Sequence, residues 1–235
     1  MESSIKKNSI ISLKSVSKSY TRGEHSILAL DNADIEVNPK DFITIVGPSG
    51  CGKSTLLNMI GLMDTPTSGT IIVDGKDTSA LKSSEQSKMR TRIGFIFQFY
   101  NLFQELSALE NVTIPLLAKG ENDEKKNKEK AMEMLKRVGL ENRVDNHPGE
   151  LSGGEQQRVA IARAMIANPA IILADEPTGD LDTKTGKEIL DLFIKLNLDF
   201  GYTFLIVTHN QDVARLGKRI VEMKDGKIIN DSGAS

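Results

Sequence analysis

Apolar positions along the chain switch between a period of two and a period near 3.6. Over Ile10 to Val16, apolar Ile11, Leu13 and Val16 alternate with polar residues, which predicts a half-buried strand. Leu28 to Val37 alternates again, with Leu30, Ala33, Ile35 and Val37 on its apolar side. Phe42 to Val46 reads as a buried strand, and Thr70 to Val73 as another that ends in the hairpin signal Asp74-Gly75. Ser83 to Arg92 is polar and helix-like, with Ser83 or Ser84 as its cap. Ile93 to Phe97 is a strand ending at Gln98, and Phe99 to Leu106 is an aromatic loop. Ala108 opens a helix that Pro115 is expected to interrupt or end.

The second half repeats the theme. Ala131, Met134, Leu135 and Val138 make one helical stripe, expected to pack a solvated, charged helix onto a small lobe. Leu151 to Gln157 is a glycine loop, followed by a helix whose apolar face includes Val159, Ala162 and Met165. Ala170 to Ala174 and Thr203 to Val207 have the type of fully buried strands. Between them, Lys184 to Phe200 is a helix that Gly201 ends. Asn210 to Leu216 is a short helix, and Arg219 to Asn230 a hairpin about Asp225-Gly226. Antiparallel strands therefore lead into alternating strands and helices, which implies a parallel sheet with helices on both faces. Ligands of such sheets bind at the carboxyl ends of the strands. Four polar endings fit that rule: Gly47 onward after Val46, Gln98 after Phe97, Asp175-Glu176 after Ala174, and His209 after Val207.

The first of these endings carries the most information. Gly47-Pro48-Ser49-Gly50-Cys51-Gly52-Lys53-Ser54-Thr55 reads G-x-x-x-x-G-K-S between a strand and a helix start, the context a phosphate-binding P-loop requires. Glycines let backbone N–H groups close around phosphate oxygens, and the helix N-terminus adds partial positive charge. Lys53 can reach the β- and γ-phosphates, and the Ser54 hydroxyl can hold Mg²⁺. The bland alternative, a chance glycine turn, explains neither flanking element.

The other endings read two ways. Asp175 can hold Mg²⁺ and Glu176 can polarise a water for attack on the γ-phosphate, or the pair is a plain capping turn. His209 is a donor to the γ-phosphate or a structural histidine. Gln98 can complete the Mg²⁺ shell or place the water. Tyr20 can stack on adenine or end a strand as a half-buried aromatic. Ser152-Gly153-Gly154 is a second anion cradle ahead of a helix. One chain already has a complete P-loop, so a second cradle points to two subunits sharing each nucleotide.

Bulk properties narrow the classes. With 235 residues, the chain suits one large domain or a domain with an inserted lobe. A net charge of −2 gives no global attraction to nucleic acid, and none is expected as a partner. Cys51 is the only cysteine, so no internal disulfide forms and a reducing compartment is the simplest reading. The polar start, Met1 to Ser9, has no apolar stretch after it, so no signal peptide is expected. The longest purely apolar run, Ala170 to Ala174, is far below a membrane span. Any membrane role must come through a partner.

Gly47 to Thr55, Gln98, Leu151 to Gln157, Asp175-Glu176-Pro177-Thr178, Asp182 and His209 stand in the order and spacing of an ABC-type ATPase, and the resemblance covers nearly the whole chain. Leu151-Ser152-Gly153-Gly154 is close to diagnostic of that family. Gly61 to Gly69, Ile93 to Leu102 and Leu109-Glu110-Asn111-Val112 resemble the lipoprotein-release, macrolide-export and cell-division subfamily. The resemblance implies an α/β fold: a P-loop NTPase core with a mixed, mainly parallel sheet, an N-terminal antiparallel β subdomain and an inserted helical subdomain. The whole chain would be one nucleotide-binding domain, with the core at about 1–98 and 166–235 and the helical subdomain at about 99–165.

It further implies that Tyr20 stacks on adenine and that Gln98 senses Mg²⁺ and the permease. Ser152 and Gly154 would contact the γ-phosphate held by a second copy, and Asp182 would reach across that dimer. Glu176 would be the catalytic carboxylate and His209 the switch histidine. ATP and Mg²⁺ would be bound, two copies would close around two ATP, and an integral membrane permease would be driven from the cytoplasmic face. The chain departs from the family pattern in three places: Glu155 where Gln is common, Gly179-Asp180 where a small or amide pair is usual, and Asn210 where Asp usually follows the His. A regulatory ATPase whose membrane partner moves no cargo would use the same residues. DNA-repair, chromosome and translation-factor relatives carry coiled-coil inserts, zinc cysteines or tandem cassettes, none of which occurs here. The Leu151 to Gly154 loop argues against a small-molecule kinase.

Overall fold

The computed structural model describes residues 9–23, 25–214 and 217–233. Of the expected elements, most of the polar start and the last two positions of the Asn210 to Leu216 helix lie outside these residues.

Strands β1 (Ile11–Arg22), β2 (His25–Val37), β4 (Ser68–Val73) and β5 (Lys76–Asp77) form an antiparallel sheet in the order β2-β1-β4-β5. β1 continues well past Val16, where the alternation had suggested its end. The pairing shifts between Leu13 and Val16, and Ser15 there takes a left-handed φ of 48°. An extra residue at a bulge flips the in-out pattern, so a period-two reading loses the strand just where it bends.

The second sheet has six strands in the order β10-β9-β3-β8-β7-β6. These are β3 (Phe42–Val46), β6 (Ile93–Ile96), β7 (Ile171–Asp175), β8 (Phe204–Thr208), β9 (Arg219–Lys224) and β10 (Lys227–Asp231). All its pairings are parallel except that of β10 with β9.

The central strands are apolar throughout, yet each side chain has one destination. Ile172, Ala174, Phe204 and Ile206 enter one core, while Ile171, Leu173, Leu205 and Val207 enter the other. The first core is closed by helices α3 (Ala108–Ala118), α4 (Glu124–Arg137), α5 (Gly153–Met165) and α6 (Thr183–Phe200). The second is closed by α1 (Lys53–Ile60) and the apolar face of β1, β2 and β4, so the antiparallel sheet covers much of that face. Helices α2 (Ser83–Arg90) and α7 (Gln211–Ala214) are short.

Two local expectations are corrected. Neither Ser83 nor Ser84 caps α2: Lys82 precedes it, and its N–H donates to the Glu85 carboxylate at 3.0 Å, which satisfies the start of the helix from within. Pro115 does not end α3, which runs on to Ala118. The proline removes one N–H, but Val112 and Leu116 beside it are buried, and the Lys119 N–H closes back on the Pro115 carbonyl at 3.1 Å. Packing outweighs one missing hydrogen bond.

Where β6 meets α5, contact is backbone to backbone. A Cβ on Gly94 would lie 2.5 Å from the Ala164 carbonyl oxygen. Gly94→Ala is therefore expected to lower stability by about 1–3 kcal/mol. Urea unfolding should show a lower midpoint at unchanged slope, and an unchanged midpoint would refute the close approach.

Candidate functional site

The four polar strand endings come together because β6, β7, β8 and β3 are parallel neighbours. Their carboxyl ends open into a cleft of about 700 Å³ lined by Ser49, Gly50, Gly52 to Thr55, Gln98, Asp175, Glu176 and His209, with Ile27 and Leu28 on one wall.

The loop from Gly47 to Thr55 joins β3 to α1. Gly52 caps α1 with φ 104°, and a Cβ there would strike the Ala29 carbonyl at 2.3 Å, so only glycine fits. Gly47 approaches the Met223 carbonyl as closely. Lys53 is the first residue of α1, and its ammonium donates to the carbonyls of Gly47 (2.8 Å) and Pro48 (3.0 Å). These contacts hold a cation across the mouth of the loop. The Cys51 thiol packs inward, 4% exposed. A thiol reagent must therefore open the core to reach it.

The Ser54 hydroxyl donates to Asp175 Oδ1 at 3.3 Å. Burial lifts the Asp175 carboxyl above its ordinary pKa; the Ser54 hydrogen bond opposes this, the Glu176 charge adds to it, and the Lys53 ammonium lowers it. Glu176 has a left-handed φ of 47°, and its N–H donates to the Val207 carbonyl at 2.9 Å. Its carboxylate accepts from the Thr208 hydroxyl (3.0 Å) and lies 2.8 Å from His209 Nδ1. The end of β8 thus fixes both oxygens of the group that ends β7. With Nδ1–H given to Glu176, the outer nitrogen of His209 donates only when the ring is an imidazolium. The His209 side chain is 71% exposed, so that nitrogen is open to a ligand.

The Gln98 amide donates to Asp180 Oδ1 at 3.2 Å. Asp180 was noticed in the sequence only as a departure from a pattern. Its role as partner needed the fold, as did that of Thr208.

Three candidates lie elsewhere. Tyr20 is outside the cleft lining: its phenol donates to Asp64 at 2.9 Å, and the Lys18 ammonium sits 4.9 Å from its ring centre. Asp182 caps α6, accepting from the N–H groups of Lys184 and Thr185; the Thr185 hydroxyl first, and then these backbone bonds, hold its carboxyl below the ordinary range. It lines a neighbouring depression with Glu176 and His209. Ser152, Gly153 and Gly154 also stay out of their own chain's cleft. Ser152 caps α5 in a capping box: its N–H and hydroxyl both donate to Glu155 at 2.8 Å, and the Glu155 N–H returns to Ser152 Oγ at 3.3 Å. The two bonds from Ser152 hold Glu155 below its ordinary pKa, and Arg143, 3.0 Å away, adds a smaller pull. Glu155, met in the sequence as a departure, is here what orders the loop.

The arrangement can bind an oligophosphate on the P-loop and place a carboxylate and an imidazole beside it. Among the described residues no three His, Cys, Asp or Glu side chains gather to form an all-protein metal site. Ser54 and Asp175 supply two hard oxygens, which suits a divalent cation completed by phosphate and water.

Comparison with known proteins agrees with this geometry. The ABC transporter family profile matches residues 30–179. The chain is 50% identical to the uncharacterized ABC transporter ATP-binding protein MJ0796 of Methanocaldococcus jannaschii, over 93% of this chain and 95% of that protein. It is 46% identical to the lipoprotein-releasing system ATP-binding protein LolD of Bacteroides thetaiotaomicron, over 94% of this chain and 100% of that protein. It is 45% identical to the macrolide export ATP-binding/permease protein MacB of Syntrophobacter fumaroxidans, over 96% of this chain but 32% of that longer protein. The dimeric post-hydrolysis structure of MJ0796 bound to ADP and Pi superposes with a TM-score of 0.86 at 46% identity, covering 94% of this chain and 97% of that one.

The raised Asp175 pKa has a testable sign. A carboxyl whose pKa is higher folded than unfolded contributes stability below the unfolded value, near 3.9, and loses it as pH rises through the folded value. At pH 7 its ionisation opposes folding of the nucleotide-free chain. Asp175→Asn should therefore melt at a higher temperature than wild type at pH 7 without nucleotide, with the gap closing as pH falls toward 4. A variant that is less stable at pH 7 contradicts the assigned cause.

Proposed function

The chain belongs to the ABC transporter family as an ATP-binding, ATP-hydrolysing subunit, and on that premise we propose that two copies close around two ATP molecules and drive a membrane permease. The observation that carries this reading is a division within one chain. Lys53, Gln98, Asp175, Glu176 and His209 share one cleft, while Ser152 to Gly154, also suited to phosphate, stand outside it. A second copy supplies the missing half. The dimeric MJ0796 structure supports that arrangement.

Each residue then has a task. Backbone N–H groups from Gly50 to Thr55 and the Lys53 ammonium hold the β- and γ-phosphates. Ser54 and Asp175 hold Mg²⁺, with Gln98 at its edge; the cation, when bound, neutralises charge that builds on the phosphate oxygens. Glu176, fixed by Thr208 and His209, orients and polarises the attacking water. His209, with Nδ1–H on Glu176, donates from its outer nitrogen to the γ-phosphate when the ring is an imidazolium. The partner's signature loop brings the N-terminus of α5 and the Ser152 hydroxyl to the same phosphate. That hydroxyl must first leave Glu155, so dimer closure exchanges an intrachain hydrogen bond for one to ATP. Tyr20 can offer its ring face to adenine while its phenol stays on Asp64.

No helix among the described residues is long and apolar enough to cross a membrane. The name of MacB joins ATP-binding to permease, and that of LolD places it in a lipoprotein-releasing system. A groove between β6, α3 and α5, lined by Phe95, Phe97, Ile114, Pro115 and Arg163, is the natural seat for a permease helix. It lies where the core, about 1–98 and 166–235, meets the helical lobe, about 99–165. The work of the chain is thus done on the inner face of the membrane.

Glu176→Gln is expected to keep ATP binding, lose about 100-fold or more in hydrolysis, and accumulate an ATP-dependent dimer. Phosphate-release assays and sedimentation velocity decide the matter. Hydrolysis at the wild-type rate removes Glu176 from the mechanism.

A further inference from the structure

The segment after Gln98 is bent and clamped. Tyr100 and Asn101 both hold left-handed backbone, with φ 59° and 48°. Two successive non-glycine residues persist there only where their surroundings impose it. The Tyr100 N–H to the Phe97 carbonyl and the Asn101 N–H to the Phe99 carbonyl hold the bend from within, and across it lies Arg163, in the last turn of α5. Its Nη1 donates to the Asn101 carbonyl at 2.5 Å and its Nη2 to the Tyr100 carbonyl at 2.7 Å. A guanidinium is a rigid fork, so it fixes two adjacent carbonyls at one spacing, which a lysine cannot do. The charge forms no ion pair among the described residues, and burial lowers its pKa. A half-buried arginine spent on two loop carbonyls marks a position where loop geometry matters.

The same loop touches the other end of α5. The Tyr100 hydroxyl packs on Gly153, where it would lie 2.9 Å from an added Cβ. Tyr100 thus links the first residue of α5 to Arg163 in its last turn. Gln98 is two residues upstream, and Ser152 caps the same helix.

We propose that Arg163 is a positioning residue for ATP hydrolysis, clamping the Gln98 loop to α5 so that Gln98 and the Ser152–Gly154 loop move as one body. This rests on the reading that Gln98 and Ser152 to Gly154 serve ATP. Without the fork, Tyr100 and Asn101 relax from their left-handed conformation. Gln98 then drifts from the P-loop cleft while the P-loop itself is untouched, since Arg163 contacts none of Gly47 to Thr55. ATP affinity and turnover should therefore separate. Arg163 also lines the groove between β6 and α5, so an occupant of that groove would sit against the clamp.

The test uses the full chain and three variants, Arg163→Met, Arg163→Lys and Gln98→Ala. Arg163→Met keeps the stem and removes both donors. It should raise amide hydrogen exchange across 99–103, lower kcat by about tenfold or more, and leave ATP affinity within about twofold of wild type. Arg163→Lys, the milder change should the first fail to fold, should fall between it and wild type in both exchange and kcat. Unchanged exchange across 99–103 in a folded variant overturns the clamp. Faster exchange with kcat within about twofold of wild type overturns its role in hydrolysis. A Gln98→Ala chain with wild-type kcat also overturns that role by removing its premise, while the exchange data still decide whether Arg163 clamps the loop.

Discussion

A parallel sheet sends the carboxyl ends of all its strands to the same edge, and this structure depends on that constraint. β6, β7, β8 and β3 lie side by side, so Gln98, Asp175, Glu176, His209 and the P-loop converge although they are spread from Gly47 to His209. The convergence requires the strands to be buried on both faces. Parity settles how: Ile172 and Ala174 pack toward the helices, while Ile171 and Leu173 pack toward α1 and the antiparallel sheet. A register slip of one residue would exchange the two cores and turn each functional side chain away from the cleft.

The cleft is electrostatically unfinished, in a way that fits its task. Asp175 and Glu176 adjoin one another, and burial makes Asp175 reluctant to ionise. A bound divalent cation relieves both. Elsewhere the chain occupies its reactive groups with internal partners: Lys53 with loop carbonyls, Ser152 with Glu155, Gln98 with Asp180. Each is a modest hydrogen bond, worth about 1 kcal/mol net for neutral pairs and more for charged ones, so nucleotide and a second subunit can displace them. The resting chain is ordered enough to bind and loose enough to rearrange.

Much of this was legible in the sequence, and the limits have physical reasons. The P-loop was readable because local geometry dictates its residues: Gly52 must be glycine because of the Ala29 carbonyl behind it. The buried strands were readable from apolar runs bounded by polar ends. The far part of β1 was hidden by a bulge at Ser15, which breaks the very alternation that reveals strands. Pro115 misled because a propensity rule ignores the burial of Val112 and Leu116. The orientation of Cys51 was not readable, since a loop residue has no periodicity to give its direction. Least legible were the partners that hold the site: Asp180 lies 82 residues from Gln98, Thr208 lies 32 from Glu176, and Arg163 lies 63 from Tyr100. Only tertiary structure brings such pairs together. Glu155 and Asp180, which looked like departures from a pattern, turned out to have defined contacts.

Under the proposed function, each nucleotide is held by the P-loop of one copy and the Ser152 to Gly154 loop of another. Mixing two inactive chains tests it most directly, one with Lys53→Ala and one with Ser152→Phe. In a mixed dimer, one site carries both lesions and the other carries neither. With shared sites, hydrolysis in the mixture should rise well above that of either chain alone, with a maximum near equimolar ratio. A mixture no more active than its components would mean that each chain hydrolyses ATP within itself, and the shared site would have to be abandoned.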